Sequence, residues 1–189
     1  MEDIILIGYG GHAKSVADCI ERQKKYRIIG YTEIAEVASK YPYLGDDNVL
    51  KEYYKKGVRN VAICQGYLGK GNLRERLYKH VKEIGFKLPV IIDPSSIIAN
   101  SASIDEGTFV GKGTILNAEV RIGKMCIINT RSLIEHECIV GDFVHVAVGT
   151  VICGQVEIGD RAFVGANATV IQCRRIESGA IVPAGITVR

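Results

Sequence analysis

Ile128-Asn129-Thr130-Arg131-Ser132-Leu133-Ile134-Glu135-His136-Glu137-Cys138-Ile139-Val140-Gly141-Asp142-Phe143-Val144-His145-Val146 carries an aliphatic residue at every sixth place: Ile128, Ile134, Val140 and Val146. The same step runs back through Ile122, Leu116, Val110, Ile104 and Ile98 to Ile92. It runs forward through Ile152, Ile158, Val164, Val170, Ile176 and Val182 to Val188. All seventeen positions are Ile, Val or Leu, which together make up about 29% of the chain. Chance agreement is on the order of 10⁻⁹, so this is an internal repeat. Four places after each aliphatic stands, mostly, a small or β-branched residue: Ala102, Thr108, Thr114, Val120, Cys126, Ser132, Cys138, Val144, Thr150, Val156, Ala162, Ala168. Glycine often follows the aliphatic directly, as at Gly111, Gly123, Gly141, Gly159 and Gly165.

A helix repeats its apolar face every 3.6 residues and a strand every two, so a period of six is neither. It describes short strands separated by regular turns, each sending one aliphatic into a shared core. Three segments close a triangular coil of eighteen residues, and coils stacked at the strand spacing of about 4.8 Å bury like on like. Roughly five coils fit between Ile92 and Val188. A β-sandwich does not account for this, because its turn lengths vary.

The chain has 189 residues, 47% hydrophobic and 24% charged, which suits one large or two small soluble domains. No run approaches a membrane span. The start, Met1-Glu2-Asp3, is acidic and leads directly into a strand pattern, unlike a signal peptide, so a cytoplasmic protein is expected. A net charge of +3 without an aromatic-basic stripe gives no footprint for nucleic acid. The six cysteines include no C-x-x-C pair and no histidine cluster, so no metal is expected. Cys126 and Cys138 fall in the small-residue slot and read as packing thiols.

Before the repeat, the apolar run Ile4–Ile7 ends in Gly8-Tyr9-Gly10-Gly11-His12-Ala13, a G-x-G-x-x-A turn between a strand and a helix expected over Ala13–Lys25. Such a turn either brings backbone N–H groups to a phosphate at a helix start or simply packs strand on helix; spacing alone does not choose. A strand near Arg27–Tyr31 delivers Thr32 and Glu33 to the place of a ribose- or base-binding acid. A helix is expected around Asp47–Lys56, a strand at Asn60–Cys64, a glycine-rich loop (Gly66, Gly69, Gly71), a helix at Leu73–Gly85 and a strand at Lys87–Ile92. Arg74 stands near the loop mouth, within reach of a phosphate. About ninety residues hold a half-sized Rossmann-like α/β domain, too small for a dinucleotide and suited to a single nucleotide. Pro89 and Asp93-Pro94 punctuate the passage, giving an α/β domain over 1–90 and a repeat domain over 91–189.

His136 and His145 are the two histidines of the repeat. His136 takes the third place of its hexapeptide, outside the core, and lies between Glu135 and Glu137, whose charge favours imidazolium. An eighteen-residue step stacks His136 with Ala118 and Gly154, and His145 with Ile127 and Phe163. The two histidines are nine residues apart, half a coil, and project from different sides of the prism. Three prisms about a threefold axis would bring His136 of one to His145 of the next, so a homotrimer is expected.

The repeat resembles the left-handed parallel β-helix of hexapeptide-repeat acyltransferases. The Ile128–Val146 segment, with its I-x-H-[DE]-x-x-[IV]-G-[DE]-x-x-H spacing, is similar to the active-site segment of a bacterial family within that group. Its members are sialic-acid O-acetyltransferases and UDP-4-amino-sugar N-acetyltransferases, and the likeness covers the whole chain. It implies acetyl transfer from acetyl-CoA to a nucleotide sugar, with the amine of a UDP-4-amino-4,6-dideoxy sugar as first choice and a sialic-acid-like hydroxyl as second. It also implies His136 as general base, Glu137 as the carboxylate that raises its basicity, and His145 at the acetyl-CoA thioester. Ala166 and Ala184 would contact CoA. Gly10, Gly11 and His12 would line the sugar-nucleotide pocket with Thr32 and Glu33 near the nucleotide, and Asn129 would orient the acceptor. Three departures stand out: Thr32-Glu33 where a pair of Asp is common, Asp93 where His is common, and no closing G-x-P-A-[KR] motif before Arg189. A γ-class carbonic anhydrase shares the β-helix but needs three suitably spaced histidines. A non-catalytic trimeric nucleotide-sugar-binding protein would have no use for Glu137 beside His136, or for His145.

Overall fold

In the computed structural model, which describes residues 1–189, each aliphatic of the six-residue series is the second residue of a two-residue strand, from Ile91–Ile92 to Thr187–Val188. The strands pair in parallel with those eighteen residues away and build three sheets, the faces of a triangular solenoid of about five coils. The first face stacks Ile104, Ile122, Val140, Ile158 and Ile176. The second stacks Ile92, Val110, Ile128, Val146, Val164 and Val182. The third stacks Ile98, Leu116, Ile134, Ile152, Val170 and Val188. These side chains meet on the axis, where Ile128, Ile134, Val146 and Ile152 are wholly buried.

The second repeat position is explained by the corners. Thr108, Thr114, Cys126, Cys138 and Thr150 point inward and donate to carbonyls of the next coil, those of Gly123, Asn129, Gly141, Cys153 and Gly165. A small side chain with one donor fits there, which is why cysteine substitutes for threonine. Burial pushes the Cys138 thiol up, and all six cysteines are free. The glycine after the aliphatic has an equally local reason: a Cβ on Gly165 would stand 2.5 Å from the Ala184 nitrogen of the coil above. Two places further, every corner from Gly107 to Gly185 has a residue of positive φ, and nine of these are not glycine, Glu137 (φ 60°) and Gln155 (φ 59°) among them.

The first ninety residues form a separate parallel sheet. Its strands are β1 (Glu2–Ile7), β2 (Tyr26–Thr32), β3 (Tyr43–Gly45) and β4 (Asn60–Ile63), in the order β3-β2-β1-β4. Ile4, Ile5 and Leu6 of the central strand are fully buried, as an apolar run in a covered parallel sheet should be. Helix α1 (Gly11–Gln23) buries Ala13, Val16, Ala17, Cys19 and Ile20, and helix α3 (Leu73–Ile84) ends at Gly85 in the left-handed conformation. The sequence expectation needs three amendments. The short β3 was not anticipated. The helix expected at 47–56 is a 3-10 turn (Asp47–Val49) followed by α2 (Leu50–Lys55). The strand expected at 87–92 is a single bridge, Lys87 to Asn60, after which Ile91–Ile92 already belongs to the solenoid. Pro89 lacks the N–H that a continuous ladder needs.

Compact units comprise residues 1–66 with 72–89, and residues 67–71 with 90–189. The five residues Tyr67–Gly71, between β4 and α3 in the chain, therefore pack with the solenoid. No helix is long and apolar enough to cross a membrane.

Candidate active site

His136 lies at the corner between the third and first faces, just beyond the strand Leu133–Ile134. Its coil is held on both sides: Glu137 N–H donates to the Ala118 carbonyl at 2.9 Å, and Gln155 N–H to the His136 carbonyl at 2.9 Å. The imidazole lies against Gly154, where a Cβ would stand 2.6 Å from both Cε1 and Nε2. Of the two flanking acids only one engages the ring. Glu135 accepts from Asn117 Nδ2 at 2.9 Å and from the His136 N–H, whereas Glu137 Oε2 is 3.0 Å from His136 Nδ1. A carboxylate accepts, so Nδ1 carries a proton toward Glu137. The side chain is half exposed, and its Nε2 edge lies over Gly154.

The Gly154 N–H completes this corner. One and two coils earlier the corresponding N–H groups, of His136 and Ala118, donate to the side chain just before them, Glu135 and Asn117. Gly154 follows Cys153, whose side chain does not serve this way, so its N–H lacks the acceptor that its counterparts have.

His145 stands on the second face, 7% exposed, edge-on to Phe163 with ring centroids 5.2 Å apart. Its Nδ1 donates to the Tyr67 carbonyl at 2.5 Å, and its Nε2 is 3.3 Å from Asn129 Nδ2. Asn129 Oδ1 accepts the Thr130 N–H, which turns the amide nitrogen toward the ring. His145 Nε2 thus accepts from Asn129, and both ring nitrogens are engaged. The loop is pinned beside it by Tyr67 Oη donating to the Arg161 carbonyl at 2.7 Å. At Gly69 (φ 80°), a Cβ would fall 2.7 Å from Ile181 Cγ1. The glycine-rich loop was visible in the sequence, but its packing on the solenoid was not.

Asn129 opens the corner between the second and third faces. Thr130, Val148, Ala166 and Ala184 follow one another up that corner at eighteen-residue steps. A cavity of about 380 Å³ is lined there by Thr130, Arg131, Val148, Gly149 and Asn167. Ala166 and Ala184 continue the same edge beyond that cavity with small side chains. The structure thus brings His136 to Glu137, and Asn129 to His145. It puts the two pairs at corners flanking the strand Leu133–Ile134.

The α/β unit has a cavity of about 280 Å³ lined by Ile7, Gly8, Thr32, Glu33, Ile34, Asp46, Asp47, Asn48, Gln65, Leu73 and Leu77. It opens at the carboxyl ends of β1, β2 and β4, where parallel sheets bind ligands. Buried Thr32 donates to Asp47 Oδ1 at 2.6 Å, while Glu33 accepts N–H groups of Tyr9 and Ile34 at 3.1 and 3.0 Å. Gly10, Gly11 and His12 begin α1, outside the cavity lining. The helix start has no side-chain cap, and a Cβ on Gly10 or Gly11 would meet nothing within 4 Å. Neither glycine has a positive φ, so the chain's own packing does not require them, and the open space fits close approach by a phosphate. Asp46, Asp47 and Asn48 were missed in the sequence; their signal is the acidic pair directly after Gly45. Arg74 is a correction: it is 5% exposed and donates to the carbonyls of Ile63 and Gln65, so it braces the end of β4 and does not reach outward.

Residues 3–81 match a family model described as the PglD N-terminal domain. The chain is similar over its whole length to PerB from Caulobacter crescentus, solved in complex with CoA and GDP-perosamine. Identity is 30%, covering 100% of this chain and 89% of that one, with a TM-score of 0.94. The acetyltransferase domain of PglB from Neisseria gonorrhoeae is 26% identical, covering 100% of this chain and 92% of that one, with a TM-score of 0.92. The same domain in complex with acetyl coenzyme A gives 25% identity, coverage of 99% and 95%, and a TM-score of 0.86.

Proposed function

The chain belongs to the hexapeptide-repeat sugar acetyltransferases, and from that premise we propose that it transfers the acetyl group of acetyl-CoA to the amine of a nucleotide-linked 4-amino-4,6-dideoxy sugar. The observation that carries this reading is the His136–Glu137 pair, with the imidazole lying against Gly154, whose N–H has no acceptor of its own. A thioester is already activated, so the protein must position two substrates, move a proton and stabilise an oxyanion. The neutral amine attacks the thioester carbonyl. The Gly154 N–H donates to the oxygen as it gains charge. His136 Nε2 takes the ammonium proton from the tetrahedral adduct while Glu137 stabilises the imidazolium. As the adduct collapses, the imidazolium proton passes to the departing CoA thiolate.

The nucleotide sugar is assigned to the α/β cavity. Three carboxylates and no cation line it, so it suits the nucleoside, while the phosphates lie at the open start of α1. Glu33 and Thr32 act at the nucleoside, and Gly10, Gly11 and His12 beside the phosphates. CoA is assigned to the corner that carries Ala166 and Ala184, with Asn129 and His145 near the thioester. The two ring bonds of His145 make it a holder of Asn129 and of the Tyr67 loop as well.

The assembly is proposed as a homotrimer. Ile97, Ile115, Leu133 and Val151 form an aliphatic stripe on the outside of the third face, with Ile97 66% exposed. The stripe runs between the corner of His136 and the corner of Asn129, so packing on it brings one chain's base toward its neighbour's CoA edge. Six free cysteines and a dependence on acetyl-CoA suit the cytoplasm.

The deciding assay follows release of CoA thiol with acetyl-CoA and a panel of UDP-, GDP- and CMP-linked sugars, each with its amine or hydroxyl counterpart. Amine-dependent thiol release is expected. Release only with hydroxyl acceptors would make the enzyme an O-acetyltransferase, and none with any acceptor would overturn the reading.

A further inference from the structure

Glu137 is half exposed and has three rotatable bonds, so by itself its carboxylate would sample many rotamers in water. Two donors instead converge on one of its oxygens. Oε2 lies 3.0 Å from His136 Nδ1 and 3.1 Å from Gln155 Nε2. Gln155 sits eighteen residues after Glu137, one coil further along the same corner, and both backbones are left-handed, at φ 59° and 60°. The Gln155 N–H bonds the His136 carbonyl at 2.9 Å, so coil stacking fixes the glutamine against the pair that it serves. Chemistry also fixes which way the amide points. The ionised carboxylate can only accept, so Nε2 faces it; Oε1 is left facing Cys173 Sγ at 3.4 Å, whose S–H can donate.

We propose that Gln155 is a positioning residue for acetyl transfer, acting through Glu137 on the His136 base. Its N–H holds Oε2 at the one place where that oxygen can keep Nδ1 protonated and the imidazole aimed over Gly154. The coil above the base is thus a platform of two consecutive residues: Gly154 gives the ring its seat, and Gln155 its carboxylate clamp. The contact lies at the surface between half-open or open side chains, where a hydrogen bond adds little to stability, so its effect falls on turnover. The proposal rests on His136 being the base.

The test is a cycle of variants in the full chain, measured for kcat and for both KM values with acetyl-CoA and the amino-sugar acceptor. Gln155→Ala should lower kcat about 3- to 10-fold, with both KM values within about 2-fold of wild type and an unchanged melting temperature. Gln155→Glu keeps the volume but replaces the donor by a second carboxylate, so its kcat should fall at least as far; a packing role would leave it near wild type. Glu137→Ala should itself lower kcat about 10-fold or more, and adding Gln155→Ala to it should change kcat by less than about 1.5-fold, because the two residues act in series. Wild-type kcat in both Gln155 variants while Glu137→Ala is impaired overturns the proposal, as do losses that multiply in the double variant. Wild-type turnover in Glu137→Ala fails the His136–Glu137 reading itself, and the role of Gln155 with it.

Discussion

His136 is positioned by neighbours that differ greatly in their distance along the chain. Glu137 is next to it, Gly154 and Gln155 are one coil away, and all three touch the ring or the carboxylate that holds it. His136→Ala should lower kcat by at least about 10²-fold with little change in melting temperature, since the side chain is half exposed. Gly154→Ala tests the seat of the ring. The backbone there is not left-handed, so alanine adds only a methyl group, and that methyl would stand 2.6 Å from Nε2. It should displace the imidazole and lower kcat about 10-fold or more while the protein stays folded, measured by steady-state kinetics beside thermal melts. The family resemblance singled out His136 and Glu137, and the eighteen-residue spacing stacked Gly154 on the histidine. It did not show that Glu135 turns away to Asn117, or that the Gly154 N–H lacks the acceptor available to its counterparts. A repeat says which backbones are adjacent; which side chains then reach each other depends on rotamers and on the residue before each turn.

Among the elements, the glycine turn before α1 has the clearest consequence. The open space over Gly10 and Gly11 means that a side chain there would obstruct a ligand without disturbing the chain. Gly11→Val should therefore raise KM for the nucleotide sugar several-fold and leave the affinity for acetyl-CoA, measured calorimetrically, within about 2-fold. Loss of acetyl-CoA affinity alone would exchange the assigned roles of the two units. The solenoid was legible almost strand by strand, because one aliphatic per two-residue strand imposes a strict count. The α/β unit was less so. Its β3 is three residues long and half-buried, too short to show an alternation. Asp46 and Asp47 become pocket residues only because the segment after β3 returns beside Thr32 at the end of β2. The Tyr67–Gly71 segment was read only as a glycine-rich loop, and no local pattern says that the Tyr67 carbonyl meets a histidine seventy-eight residues later.

For the whole molecule the proposed function poses a question of geometry: two pairs of residues at different corners of one prism would have to serve a single acetyl group. The proposed threefold assembly would answer it by taking His136 from one chain and Asn129 with His145 from another. His136→Ala and His145→Ala should each be poorly active. Trimers mixed from both by co-expression contain interfaces in which both histidines are intact, so a fraction of wild-type activity should return. If mixed trimers form and stay inactive, each chain works alone. The eighteen-residue count bears on one more matter, the ways in which such a protein can change length. A whole extra coil inserted well above or below the base would move parts of the rod past one another by a strand spacing of about 4.8 Å and leave each coil's own bonds intact. Between Glu137 and Gly154 the same insertion would separate the imidazole from its glycine seat and the carboxylate from its amide clamp. The rod therefore has a seam there at which it cannot grow, and the corner of His136 straddles it.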